Sequence, residues 1–278
     1  MKIAYGYEIG LSCAAQTPVI CQLDLHPSLA PAVREDSPFG ARPFVFSRLY
    51  RDSFGNTCRR FVAPAGDLLI RAGGVVEVSG EPDRQPLDAE EIPVPNLPDN
   101  TLVYLQGSRY VETDLLSQIA WDLFGRTTPG WRRVQTICDF VNQHLAFDYG
   151  QARATRTAFD AYKERVGVCR DFTHLAVGFC RAMNIPARYC NGYLGDIGVP
   201  PDPAPMDFNA WFEVYLEGGW HTFDARHNQP RIGRILVARG RDAADIPLIN
   251  SFGPHVLTSF KVWTDEVAEP RLRLVQAL

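Results

Sequence analysis

Residues 81–100 read EPDRQPLDAEEIPVPNLPDN and hold prolines at 82, 86, 93, 95 and 98. Each proline fixes φ and removes a backbone donor, so neither a helix nor a central strand can run through this stretch. It reads as a linker, and the hydrophobic period differs on its two sides. Before it the period is two: Ile3, Tyr5, Tyr7 and Ile9 alternate with smaller or polar residues, and 19–25, 44–50, 57–62 and 68–78 read as further strands. Turn residues separate them, Gly55-Asn56 and Gly66 among them. Residues 1–80 are therefore expected to form an all-β, sandwich-like domain.

After the linker the period becomes 3.6. Leu115, Leu116, Ile119, Ala120 and Leu123 form one stripe, with Gly125 as its C-terminal stop. Thr128-Pro129 suggests an N-cap and first position for a second helix, whose stripe runs from Trp131 to Leu145. Phe172, Leu175, Ala176, Phe179, Cys180 and Met183 define a third helix at about 169–183, ended by Asn184 and Pro186. Strands are expected at 187–194, 208–216, 220–224 and 256–264, the middle two joined through Glu217-Gly218-Gly219. Helices followed by an antiparallel sheet indicate an α+β domain over 101–278.

Composition excludes several classes. With 278 residues, 46% hydrophobic and 22% charged, the chain can build a full core and is neither disordered nor collagen-like. A net charge of −4 argues against nucleic acid as a partner. No run reaches the roughly 20 apolar residues of a membrane helix, and MKIAYGYEIGLSCAAQ lacks the pattern of a secretory leader. A cytoplasmic location is expected. The seven cysteines, at 13, 21, 58, 138, 169, 180 and 190, include no CxxC pair, so no zinc site or disulfide framework is expected. No phosphate-binding glycine motif, HExxH pair or acidic calcium loop is present, and no cofactor or metal is expected.

One cysteine stands apart. Cys169 opens the third helix, where unpaired backbone N–H groups and the positive dipole end favour the nucleophilic thiolate. The competing reading is a small buried hydrophobe. The other six fall on core stripes or in strands and read as structural.

The run GVCRDFTHLAVGFCRAMNIPARYCNGY resembles the nucleophile helix and following strand of the transglutaminase-like superfamily. NAWFEVYLEGGWHTFDAR is similar to the hairpin that carries the other two catalytic groups. The match covers about residues 100–230, and FGNTCRRF with LLIRAGGVVEV resembles the N-terminal region of bacterial members. The resemblance implies a papain-like α+β core that attacks an amide carbonyl through a Cys thiolate, with acyl transfer to an amine or to water. It assigns Cys169 as nucleophile and Asp224 as the group orienting the base. The base itself would stand just before Ala210-Trp211, where this chain has Asn209. An amide does not titrate near neutral pH and cannot exchange the proton.

Three histidines are weighed as surrogates. His227 follows Asp224 in a loop and ranks first. His221 ranks second, although strand alternation turns it away from Asp224. His174 is rotated by about 140° from Cys169 on the helix and ranks last. Trp211, Trp220 and Tyr193 are candidate groove walls, with core packing as the alternative. Arg226, Arg231, Arg234, Arg239 and Arg241 suggest either an anion-binding segment or, preferably, a solvated loop. Two functions remain open. One is a cysteine hydrolase or acyltransferase acting on peptide or protein amides. The other is an inactive peptide- or protein-binding member of the same fold.

Overall fold

The computed structural model describes residues 1–267. The first six strands are β1 (Lys2–Cys13), β2 (Thr17–Cys21), β3 (Val33–Arg42), β4 (Ser47–Arg51), β5 (Thr57–Ala63) and β6 (Gly66–Glu77). After the proline-rich stretch come α1 (Thr113–Phe124), α2 (Trp131–His144), β7 (Ala146–Phe147), α3 (Ala158–Glu164), β8 (Val166–Gly167) and α4 (Cys169–Ala182). The chain continues through β9 (Ala187–Tyr193), β10 (Asn209–Leu216), β11 (Gly219–Phe223), β12 (Ile235–Gly240), β13 (Ile249–Ser251) and β14 (His255–Glu266). The architecture is α+β, with a β-rich N-terminal region, as expected.

Two four-stranded sheets make the β unit, in the orders β14-β1-β6-β3 and β13-β2-β5-β4. The strand expected at 256–264 thus leaves the second unit and pairs antiparallel with β1 along its whole length. The short β13 pairs likewise with β2. The expected 101–278 unit is therefore drawn apart at its end, because β1 and β2 each offer an edge that these segments cover. Its residues 268–278 lie outside the described residues. The inward residues Ile3, Tyr7, Ile9 and Leu11 of β1 are buried against Val19, Phe61, Leu68 and Ile70, which is what period two predicts for a one-sided face.

The third sheet, β11-β10-β9-β12, is antiparallel and lies between two cores. Phe212 and Val214 of β10 pack with the helices, while Tyr193, Ile235 and Val237 pack with the β unit. α4 is the central helix: every residue from Asp171 to Ala182 is buried. Its apolar stripe meets α1, α2 and α3 on one side and β9 and β10 on the other.

Three local expectations differ. β3 was not foreseen, since VREDSPFGAR is charged, contains Pro38 and shows no alternation. It is an edge strand and mostly exposed, the one sheet position where such a sequence is tolerated. Thr128-Pro129 does not start α2. Gly130 is its N-cap at φ 86°, a left-handed value that only glycine adopts freely, and the Trp131 N–H donates to Ala89 O at 2.9 Å. The arginine segment is not a solvated loop. It contains β12, and Arg231, Arg234, Arg239 and Arg241 pair with Asp196, Asp83 and Asp224, Glu213, and Asp245 respectively. Among the described residues no helix is long and apolar enough to cross a membrane.

Candidate active site

Cys169 owes its position to Asp171. The Asp171 carboxylate is fully buried and accepts from the Val168 N–H at 3.0 Å, closing a cap at the start of α4. Arg156 donates to the same oxygen at 3.2 Å, and Arg170 to the other at 3.3 Å. Gly167 leaves room for this carboxylate, since a Cβ there would lie 2.6 Å from the Asp171 Cβ. The helix start is therefore fixed by a buried ion pair on one side and by β8 on the other.

The thiol stands at the wall of a cavity of about 700 Å³, with Tyr189, Asn191, Asp207, Asn209 and Ala210 around it. The backbone N–H groups of Ala210 and Arg170 face the sulfur and favour its charged form. Burial acts the other way and is the largest influence, and the Asp207 charge adds to it. Together they push the thiol up to about 11. At neutral pH the resting group is the protonated thiol.

Asp207 was not anticipated. It is buried by the loop entering β10, and that burial raises its pKa above the ordinary carboxylate value, partly offset by the 2.6 Å hydrogen bond from the Phe208 N–H. In sequence, an acid just before a strand reads as a turn residue. Only the fold shows that it faces the thiol.

Asn209 sits at the first residue of β10 and lines the Cys169 cavity. Its Nδ2 donates to Asp207 O at 3.3 Å. On its other side is a second cavity of about 450 Å³, lined by Asp207, Asn209, Arg226 and His227. Asn209 and Asp207 are thus the wall shared by the two spaces.

Asp224 lies just past β11, with its side chain 3% exposed. It does not hydrogen-bond to Asn209. Oδ2 accepts from His227 Nδ1 at 2.8 Å and from Arg234 Nη2 at 3.0 Å, and Oδ1 accepts from the backbone N–H of Arg226 and of His227. Burial would raise this acid, but Arg234 and then His227 outweigh it and hold the carboxyl well below its usual range. The Arg226 guanidinium contacts His227 Nε2 and lies 4.0 Å over the Phe147 ring. His227 is therefore oriented by Asp224, and no hydrogen bond joins it to Cys169 among the described residues.

The other histidines are elsewhere. His221 Nε2 meets Glu217 O at 2.9 Å, and the ring packs on Trp131. His174 is fully buried, accepts from the Ala243 N–H at 3.2 Å and stacks on Tyr110, and desolvation holds it neutral. The expected groove walls are not in the thiol cavity. Trp211 is buried with Cys190 and Leu236, Tyr193 against Tyr5 and Phe208, and Trp220 sits under Arg188 and beside Tyr104. Large aromatics near a site satisfy core packing first, and here they do. Tyr110 and Tyr189 line the cavity instead. No cluster of metal-ligating side chains occurs among the described residues.

With the geometry in place, the likeness to known proteins has physical content. Residues 117–225 match the transglutaminase-like superfamily. A protein of Mycobacterium leprae named only as uncharacterized is 25% identical over 210 residues, 73% of this chain and 75% of its own. An uncharacterized protein of Mycobacterium bovis is 27% identical over 218 residues, 71% and 69% of the two chains. A crystal structure described as "a Putative Cysteine Protease from Cytophaga hutchinsonii" is 28% identical, covers 97% of this chain and 92% of its own, and superposes with a TM-score of 0.86. The helix that presents Cys169 and the hairpin that leads to Asp224 both lie within the matched span. Residues 117–225 accordingly carry a transglutaminase-like core.

Proposed function

We propose that the chain is a cysteine-dependent acyl-transfer enzyme acting on peptide or protein amides, with the Asp224–His227 pair serving in place of a histidine at 209. The observation that carries this reading is the 2.8 Å contact from His227 Nδ1 to Asp224. An acid on Nδ1 fixes the tautomer and leaves Nε2 as the base, which is how catalytic triads are recognised irrespective of chain order. His227 faces the Asn209–Asp207 wall from one side, and Cys169 faces it from the other.

In this reaction the Cys169 proton passes to His227 Nε2 through a water bridged by Asn209, once Arg226 has moved off that nitrogen. The sulfur bonds to the carbonyl carbon, the leaving amine takes the proton from His227, and a thioester remains. Water or an amine then attacks it and the thiol is restored. The Ala210 N–H already directed at the sulfur is suited to a developing negative charge there.

A second reading, a peptide-binding protein without turnover, draws on the protonated resting thiol and on Asn209. Peptide p-nitroanilides separate the two. For an enzyme, turnover falls at least about 100-fold in Cys169→Ala and in His227→Gln, and Asn209→His raises it. Equal rates for the native chain and Cys169→Ala, with peptide binding retained, establish the second reading. The seven unpaired cysteines suit a reducing compartment, and we place the protein in the cytoplasm.

A further inference from the structure

Asn191 on β9 is opposite Ala210 on β10, the residue whose N–H faces the Cys169 sulfur. Cross-strand partners stand about 5 Å apart, so Asn191 is at the thiol's side of the sheet and lines its cavity. It is 94% buried by a relative exposure of 6%. Its Nδ2 donates to Ile246 O at 3.2 Å, which fixes the amide orientation and leaves Oδ1 as the second atom. Oδ1 has no donor. A buried acceptor without a partner is destabilising, and a ligand N–H that reaches it removes the cost. The last torsion of asparagine is broad, and a turn about it that presents Oδ1 to the cavity exchanges the Ile246 bond for one to the ligand.

The opposite wall is apolar and comes from the β unit. Ile9 and Leu11 of β1 and Leu257 and Phe260 of β14 line the same space. Leu257 is 54% exposed and Phe260 40%, so this surface is unfilled in the free chain. Nothing in the chemistry of Cys169, His227 or Asp224 requires such a wall.

We infer that the cavity binds the acyl side of a peptide, with a bulky apolar side chain against the β1–β14 wall and a backbone N–H on Asn191 Oδ1. This rests on Cys169 facing the bound acyl group, and so on the site proposed above. It assigns the β unit a share in substrate selection, and Asn191 a specificity role distinct from the proton chemistry.

The test uses Cys169 as a covalent reporter in the full chain. Labelling rates are compared for N-acetyl-leucine chloromethyl ketone, its N-methyl analogue and N-acetyl-glycine chloromethyl ketone, with peptide mapping to isolate Cys169 from the other six thiols. The leucine compound should react about tenfold or more faster than the glycine one, and about tenfold faster than the N-methyl one. Asn191→Ala should abolish the second ratio and keep the first, and Leu257→Ser should do the reverse. Native ratios near one overturn the inference, as does an equal slowing of all three compounds in Asn191→Ala. If that variant does not fold, the native ratios still decide. They report recognition alone, so they persist in His227→Gln even when turnover does not. A failed base assignment is thereby told apart from a failed recognition site.

Discussion

At Cys169 two opposed influences can be separated by measurement. The helix start and the Ala210 N–H favour thiolate, while burial and Asp207 favour thiol, and the latter prevail at about 11. Its alkylation rate should therefore climb with pH through neutrality and level only near pH 11, read by site-resolved mass spectrometry. Asp207→Asn removes a negative charge, so the thiol pKa falls and labelling at pH 8 accelerates. An unchanged or slower rate contradicts the electrostatic account. The place of Cys169 was legible because helix periodicity puts residue 169 at a terminus. Asp224 was singled out through the resemblance of its hairpin segment to the superfamily's. What period and spacing do not encode is which side chains a carboxylate collects. Asp224 takes His227 and Arg234, one from a loop and one from ten residues on. Asn209 removes a titrating group from one strand position, and the replacement we propose, His227, sits in a loop whose path no local rule specifies.

Among the elements, α4 depends on a charge at its third residue. Asp171→Asn keeps the side-chain shape but weakens the cap on Val168 and leaves Arg156, itself 98% buried, without its full partner. Breaking a buried pair costs about 3–5 kcal/mol. Urea unfolding should show a lower midpoint at unchanged slope, and Cys169 should label faster as the helix start loosens. Gly167→Ala should also destabilise, by about 1–3 kcal/mol, since its methyl would press on Asp171. Neither loss is expected for Glu164→Gln at the exposed end of the same network. α1, α2 and α4 read clearly because each buries one continuous stripe, whereas the seven residues of α3 are too few to show one. β3 did not, because an edge strand needs no apolar face, and β12 did not, because Arg239 within it and the arginines flanking it are neutralised by acids from other segments.

For the whole molecule the proline-rich stretch is more than a spacer. Asp83 within it receives Arg234 at 2.9 Å, and the same guanidinium donates to Asp224, so linker, β12 approach and candidate site share one ion network. Asp224 has a depressed folded pKa, so its contribution is fully present above the unfolded value of about 3.9. It is lost as pH falls through that value toward the folded one. Stability measured by urea between pH 7 and pH 3 should fall steeply at the acid end, and Asp224→Asn should flatten that limb while lowering the neutral value. An unaltered acid limb means that other carboxylates carry it. The sandwich-like β region was readable from alternation, whereas its closing strand was not recognisable as part of it, because partner choice between strands is not written in either strand alone.

That closing strand also sets a schedule for synthesis. β1 ends at Cys13 and its partner β14 begins at His255, so one edge of the first sheet waits for most of the chain to emerge. At about 5–20 residues per second the delay is on the order of 10–50 s. Throughout it the nascent protein presents an open row of backbone donors and acceptors, beside the apolar face that will wall the Cys169 cavity. The Cys169 cavity is thus incomplete until β14 has emerged, and no nascent chain stopped short of that strand can possess it.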